Sequence, residues 1–141
     1  MSRVETMVTL SVEDRLAVTE LISLHGHLID AGAMERLHEL FTPDVVYDVS
    51  HLGGGQLTGI DAVRDAGLAL GADNPVAHHV TNIVINRIDD DHVAAWSKGL
   101  GVRTDGTIGS VVYTDIVVRT PVGWRISRRT VLARRIPLSE L

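Results

Sequence analysis

The hydrophobic pattern divides the chain into a helical first half and a β-rich second half. Between Ser11 and Asp30, apolar residues recur every three or four positions, which predicts an amphipathic helix. Ser11 is a suitable N-cap, and Asp14 stands where a capping box has its acid. Gly32 is suited to end this helix.

Two shorter helices and one strand are expected before the β-rich half. The first of these helices, Met34–Phe41, should end before Pro43, because the residue that precedes a proline avoids helical backbone angles. A strand over Val45–Ser50 and a glycine-rich loop follow. A third helix is predicted over Ile60–Leu70, between two glycines.

Four long β-rich segments complete the chain. Short sequences rich in Asp, Gly and Pro separate them, so consecutive strands can pair only antiparallel. The predicted strands are Ala77–Ile88, Val93–Arg103, Ile108–Arg119 and Trp124–Ile136. Three helices followed by this meander predict an α+β fold, in which the helices cover one face of a curved antiparallel sheet.

The first long strand does not alternate cleanly between apolar and polar residues. One face would carry His78 and Asn82 among valines, and the other His79 and Thr81 with isoleucines. We therefore expect both faces of the sheet to be at least partly buried, one by the helices and the other by a second subunit. This predicts a homo-oligomer, a dimer or a trimer. The aromatic residues Trp96, Tyr113 and Trp124 are expected in the core or in a pocket wall.

Composition narrows the class of protein. A chain of 141 residues with 45% hydrophobic positions is expected to form one domain, residues 1–141, with a core over about 11–136. A net charge of −5 and 4% aromatic residues argue against nucleic-acid binding. No long apolar run and no signal-like core in Met1–Leu10 are present, which predicts a soluble, cytoplasmic protein without a membrane partner. Cysteine is absent, so thiolate chemistry is excluded.

Several sequence fragments, in their order and spacing, resemble the SnoaL-like branch of the nuclear-transport-factor-2-like superfamily. The resemblance covers about residues 11–136 and implies a cone-shaped α+β barrel, closed by three N-terminal helices around a deep apolar pocket. The matching fragments are Leu40-Phe41-Thr42-Pro43-Asp44, Leu57-Thr58-Gly59-Ile60-Asp61-Ala62-Val63, Ala77-His78-His79-Val80-Thr81-Asn82, Gly123-Trp124-Arg125-Ile126 and Arg129.

The resemblance also implies a cofactor-independent active site. Scytalone dehydratase, bile-acid dehydratase and hexachlorocyclohexane dehydrochlorinase use an aspartate at the end of the first helix and a histidine on the strand after the third, positions that Asp30 and His78 match. His25 falls where these enzymes have an assisting tyrosine or lysine. Arg129 matches an arginine of the dehydrochlorinases.

The residues themselves leave these roles open. His25 falls inside the apolar face of the first helix, where it is either a core histidine or a pocket-lining one. On a helical wheel Asp30 lies roughly 140° from His25, on the solvated side, unless the helix ends there. His78 and His79 point to opposite faces of a strand. Asn82 would share the face of His78, and Tyr113 could donate its hydroxyl to a substrate oxygen.

Together these observations predict a dehydratase or another elimination enzyme for a small, apolar, oxygenated substrate. Asp30 and His78 would form its catalytic dyad, and substrate binding would fall to His25, Asn82, Tyr113 and Arg129. No cofactor is expected, and no metal, because no ligand motif accompanies the dyad. Two alternatives remain: a SnoaL-type polyketide cyclase or isomerase in which Asp30 is itself the acid/base, and a non-catalytic binding or subunit-association module.

Overall fold

The computed structural model describes residues 10–140. The prediction that Met1–Leu10 contains no signal sequence falls almost entirely outside these residues. Across the described range, no helix is both long and apolar enough to span a membrane.

Two α-helices and several short 3₁₀ turns form the helical layer. Helix α1 spans Val12–Asp30, and the side chain of Ser11 caps it by accepting a 3.0 Å hydrogen bond from the Asp14 backbone N–H. This confirms the predicted N-cap. Helix α2 spans Ile60–Leu70, as predicted. The 3₁₀ turns are Met34–Glu39, Ser50–Leu52 and Gly71–Asp73.

One curved six-stranded sheet packs against these helices. Its strands are β1 Phe41–Asp48, β2 Gln56–Thr58, β3 Ala77–Arg87, β4 His92–Val102, β5 Ile108–Thr120 and β6 Gly123–Ala133. Their order in the sheet is β2-β1-β6-β5-β4-β3. The four long strands form the predicted antiparallel meander. The fold is thus the α+β architecture expected from the sequence.

The segment between α1 and α2 differs from the prediction. The segment expected as a second helix is a 3₁₀ turn, and the strand after it already begins at Phe41, four residues earlier than predicted. Strand β2 was not predicted. β1 pairs parallel with β6, a long-range contact that hydrophobic pattern cannot reveal, and Ile126 donates its N–H to the Leu40 carbonyl at 2.8 Å where the pairing begins.

Asp14 does not complete a capping box. Its carboxylate instead accepts hydrogen bonds from the Arg119 guanidinium at 3.0 Å and from the Trp124 indole at 3.0 Å. These hydrogen bonds lower the pKa of Asp14 to about 2, and the one from Arg119 has the largest effect. They connect the start of α1 to the β5–β6 hairpin, whereas a capping box would be purely local.

A bulge in β3 changes which side chains face the helices. The register with β4 shifts between Thr81 and Val84, and Asn82 adopts a left-handed backbone conformation with φ of 55°. His78 and Val80 are half-buried before the bulge, whereas Asn82 and Val84 are exposed. The prediction that Asn82 shares a face with His78 is therefore wrong, because one irregular residue reverses the faces.

Trp96 lies on the outer face of the sheet, with 52% of its surface exposed. Trp124, by contrast, belongs to the core. The expectation that Trp96 is a core or pocket residue is wrong, because its position in β4 alternates with the inward-facing Ala95 and Ser97.

Helix α1 crosses β3 at Gly26. A Cβ added at Gly26 would lie 2.7 Å from the His78 carbonyl oxygen, a distance that backbone atoms cannot tolerate. Glycine is thus required for the helix to approach the strand that carries His78.

Replacement of Gly26 by alanine is expected to destabilise the protein by about 1–3 kcal/mol, because the helix and β3 must separate to admit the methyl group. The measurement is urea unfolding followed by circular dichroism. Gly67→Ala in α2 is the matched control, since its Cβ would meet only the flexible end of Met34 at 3.2 Å. Equal stability of the two variants would contradict this account of the crossing.

Candidate active site

The carboxylate of Asp30 forms two hydrogen bonds with His78, one with its ring and one with its backbone. The His78 ring nitrogen Nδ1 lies 2.7 Å from Oδ1 of Asp30, and the His78 backbone N–H donates to Oδ2 at 2.9 Å. The side chain of His78 is 17% exposed and that of Asp30 27%. With Nδ1 held by a carboxylate, the other ring nitrogen, Nε2, is the one left for a substrate.

The end of α1 explains how Asp30 reaches the strand. Asp30 is the last helical residue, Ala31 is the C-cap, and Gly32 turns the chain with φ of 67°. The wheel argument, which places Asp30 with the solvated residues, holds only for a helix that continues. Because the helix ends here, the carboxylate points past its last turn toward β3.

A cavity of about 610 Å³ opens beside His78. It lies between the helical layer and the inner face of the sheet and is lined mostly by apolar side chains. Polar lining groups include His25, Tyr47, His78 and Tyr113. This combination of an apolar chamber with a few convergent polar groups is typical of small-molecule sites.

His25 lies at the inner wall of this cavity and is only 3% exposed. Its Nε2 lies 3.4 Å from the Tyr47 hydroxyl, and its Nδ1 has no hydrogen-bond partner among residues 10–140. Burial lowers the pKa of His25 well below its usual value, and the nearby Arg129 and His78 lower it further. His25 is therefore a neutral imidazole in the wall, with one nitrogen unoccupied.

Two tyrosines also line the cavity. The ring of Tyr113 lies over Gly99, where an added Cβ would come within 2.4 Å of it. Burial raises the pKa of both Tyr47 and Tyr113. Both hydroxyls consequently stay protonated near neutral pH and can donate hydrogen bonds.

Arg129 does not line the cavity. It is fully buried and forms a bidentate ion pair with Asp115, with distances of 2.7 and 2.9 Å. Its guanidinium lies 4.3 Å from the centre of the Tyr113 ring. Burial opposes the charge, but Asp115 more than compensates and raises the pKa of Arg129. Arg129 thus contacts the Tyr113 ring without itself lining the cavity.

Asn82 is not brought to the cavity either. It is exposed on the bulge of β3, and its Oδ1 accepts a 2.6 Å hydrogen bond from the Thr81 hydroxyl. Among the residues predicted for the site, the structure brings together Asp30, His78, His25 and Tyr113. Sequence reasoning missed Tyr47, whose inward position depends on the parallel pairing of β1 with β6.

Within residues 10–140, no group of three or more metal-ligating side chains converges.

The comparisons with known proteins assign the family. The SnoaL-like domain family matches residues 10–130. The chain belongs to the SnoaL-like family. It is thereby a member of the nuclear-transport-factor-2-like superfamily, in agreement with the resemblance seen in the sequence fragments.

Sequence and structural relatives cover most of this SnoaL-like chain. The uncharacterized protein Rv2910c of Mycobacterium tuberculosis is 31% identical over 124 residues, 84% of each chain. An NTF2-like protein with a cystatin-like fold from Novosphingobium aromaticivorans superposes with a TM-score of 0.74 at 31% identity, over 91% of this chain and 85% of the other.

Two further crystal structures from Novosphingobium aromaticivorans share the fold. A candidate aromatic ring hydroxylase gives a TM-score of 0.78 at 27% identity, over 91% of this chain and 94% of the other. A candidate scytalone dehydratase gives 0.75 at 20% identity, over 92% and 90%. The second likeness shows the fold alone.

The neutral state of His25 makes stability depend on pH. An unfolded histidine binds a proton below about pH 6.5, whereas the buried His25 does not, so the unfolded state binds more protons. We expect the free energy of unfolding to fall as pH falls below about 6.5, by up to about 1.4 kcal/mol per pH unit from this residue.

This prediction is checked by urea unfolding between pH 7.5 and 5. The stability difference between wild type and His25→Gln should shrink as the pH falls, whereas the difference for the control His79→Gln, at an exposed position of β3, should stay constant. Parallel pH curves for wild type and His25→Gln would contradict a neutral His25.

Proposed function

We propose that this SnoaL-like protein is a cofactor-independent enzyme that eliminates water, or another leaving group, from a small, largely apolar, oxygenated molecule. The observation that supports this most strongly is the Asp30–His78 pair at the edge of the cavity, with Nδ1 and Oδ1 2.7 Å apart. A positioned base of this kind typically contributes about 10²–10⁴-fold to the rate of a proton transfer.

In the proposed reaction His78 is the general base and then the general acid. Nε2 takes a proton from the carbon next to an activating carbonyl, and the electron pair of that C–H bond forms the new C=C bond. The C–O bond at the adjacent carbon breaks, and the oxygen leaves as water with the proton that His78 returns. Asp30 fixes the ring and stabilises its transient positive charge.

The polar groups of the cavity wall supply contacts for the substrate oxygens. Tyr113 and Tyr47 are protonated donors, and the free Nδ1 of His25 can donate or accept according to its tautomer. Donors aimed at a carbonyl stabilise the enolate that develops as the proton leaves. In this proposal Arg129 acts indirectly, because it holds Tyr113 in place from behind the wall.

The cyclase alternative gives Asp30 the role of acid/base, and the geometry supports it less well. Both carboxylate oxygens of Asp30 are engaged by His78, and Asp30 is not among the residues that line the cavity. A carboxylate in this position is better suited to orient an imidazole than to reach a substrate itself.

His78→Ala is expected to lower turnover by about 10²–10⁴-fold, and Asp30→Asn by a smaller factor, because the general base is lost in the first variant and only misoriented in the second. The assay follows a panel of β-hydroxy carbonyl compounds by the absorbance of the conjugated product. His79→Ala is the matched control, since it removes the neighbouring, exposed imidazole. Turnover that is unchanged in a folded His78→Ala variant would refute the proposal.

We also propose that the outer face of the sheet binds a second copy of the chain. Val84 and Trp96 are register partners there, with 43% and 52% exposure, and Leu100 on the same face of β4 is 36% exposed. Neighbouring apolar side chains at this exposure are typical of an interface between subunits.

Trp96→Glu is expected to shift the protein to monomers, because a charge would be buried in the contact. Sedimentation velocity at several concentrations measures this. Val122→Glu, in the exposed β5–β6 turn, serves as the control and should leave the assembly unchanged. An oligomer that persists in Trp96→Glu would place the interface elsewhere.

A further inference from the structure

Three arginines line the same cavity as His78. Arg103 follows the end of β4, and Arg134 and Arg135 follow the end of β6. These strand ends lie at one end of the sheet, where β3 also begins, and His78 is the second residue of β3. Asp73 is the one acidic residue among the described lining residues, so arginines outnumber carboxylates in this lining although the chain has a net charge of −5.

The cavity arginines differ from most others in lacking a carboxylate partner. Within residues 10–140, six arginines form an ion pair with Asp or Glu: Arg36, Arg64, Arg87, Arg119, Arg128 and Arg129. None of these lines the cavity. Three of the six basic residues that form no ion pair in this range therefore line the cavity, whereas Arg15, Lys98 and Arg125 do not.

Arg103 is held against the cavity wall. Its backbone N–H donates to the Thr107 carbonyl at 2.9 Å, and Nη1 lies 3.4 Å from the Thr107 hydroxyl. Nη2 would lie 3.6 Å from a Cβ added at Gly109, a lining residue. This is an ordinary contact distance, and Nη2 has no hydrogen-bond partner among the described residues. Arg103 adds to the effect of the Thr107 hydrogen bonds that lower the pKa of Asp105, but it forms no ion pair with that carboxylate.

Arg134 is held by neutral oxygens. Nη1 donates to the Ser139 carbonyl at 2.6 Å and Nη2 to the Ile136 carbonyl at 3.2 Å. These contacts fix the guanidinium without neutralising its charge. Arg135, the next residue, is exposed and forms no ion pair within the described range.

We propose that the substrate carries an anionic group, such as a carboxylate, that binds Arg103 and Arg135 at the arginine-lined end of the cavity. Its apolar body lies in the cavity near His78. Gly101 is the register partner of His78, and Arg103 is two residues further along, roughly 7 Å. The anion and the reacting carbon are thereby separated by a short apolar spacer. The inference relies on the proposed function only in taking this cavity as the substrate site.

A matched pair of fluorescent probes tests this inference without knowledge of the substrate. 1-Anilinonaphthalene-8-sulfonate carries a sulfonate on the same ring system as the uncharged N-phenyl-1-naphthylamine. Wild type should bind both, with the neutral probe displacing the anionic one, because they share the cavity. Failure of this displacement would overturn the inference, since the anionic probe would then be bound elsewhere.

The variants Arg103→Gln and Arg135→Gln should each weaken binding of the sulfonate probe about threefold, and the double variant about tenfold. The affinity for the neutral probe should change less than twofold. Arg134 is left intact because it anchors the C-terminal segment. Arg15→Gln, at an exposed residue of α1, is the control and should change neither probe. Equal losses for both probes, or no loss for the sulfonate in the double variant, would overturn the inference.

Two further arms separate this inference from its alternatives. Inorganic phosphate should weaken binding of the sulfonate probe no more than sodium chloride does at equal ionic strength. A stronger effect of phosphate would show that a free anion is the ligand, against the inference. Asp30→Asn, a change outside the cavity lining, should bind both probes as wild type does, so a failure of the proposed reaction and a failure of this anion site are recorded by different measurements.

Discussion

The contact between Asp30 and His78 joins the two layers of the fold at the point where the cavity opens. The Asp30 carboxylate accepts hydrogen bonds from both the ring Nδ1 and the backbone N–H of His78. The backbone hydrogen bond fixes the height of the carboxylate relative to β3, and the ring hydrogen bond fixes the rotation of the imidazole. A single side chain thus positions the group that faces the cavity and selects which nitrogen remains available.

Close approach of the backbone makes this contact geometrically accessible. Gly26 lets α1 rest on the His78 carbonyl, and four residues later the same helix ends at Asp30. Gly99 plays a comparable part in the sheet, because its missing side chain is the space in which the Tyr113 ring lies. The shape of the cavity is therefore determined as much by absent side chains as by the polar groups in its wall.

The buried charges of the inner sheet are structural in this arrangement. Arg129 and Asp115 satisfy each other in the interior, and the guanidinium supports the Tyr113 ring from behind. A pair so fully buried is costly to break, because either partner alone would be an uncompensated charge. Arg103, Arg134 and Arg135, which form no ion pair within the described residues, instead line one end of the cavity, where a charged ligand can approach without complete desolvation.

Local sequence signals determined much of this protein. Ser11 as the N-cap, both α-helices, the four long strands and their antiparallel order could be read from the chain, because each depends on residues that are near neighbours in sequence. The fragments shared with the SnoaL-like family also indicated Asp30 and His78 as a pair, although the helical wheel alone placed Asp30 in solvent. Its position past the last turn depends on where the helix stops.

Only the tertiary structure decided which side chains reach the cavity. The bulge at Asn82 exposes that residue to solvent, and Arg129 forms an ion pair with Asp115 in place of lining the cavity. The parallel pairing of β1 with β6 places Tyr47 in the cavity lining. Each outcome depends on partners many residues apart or on one irregular backbone conformation. A periodic pattern averages over such details, because it records which residues are apolar and not which strand lies beside them.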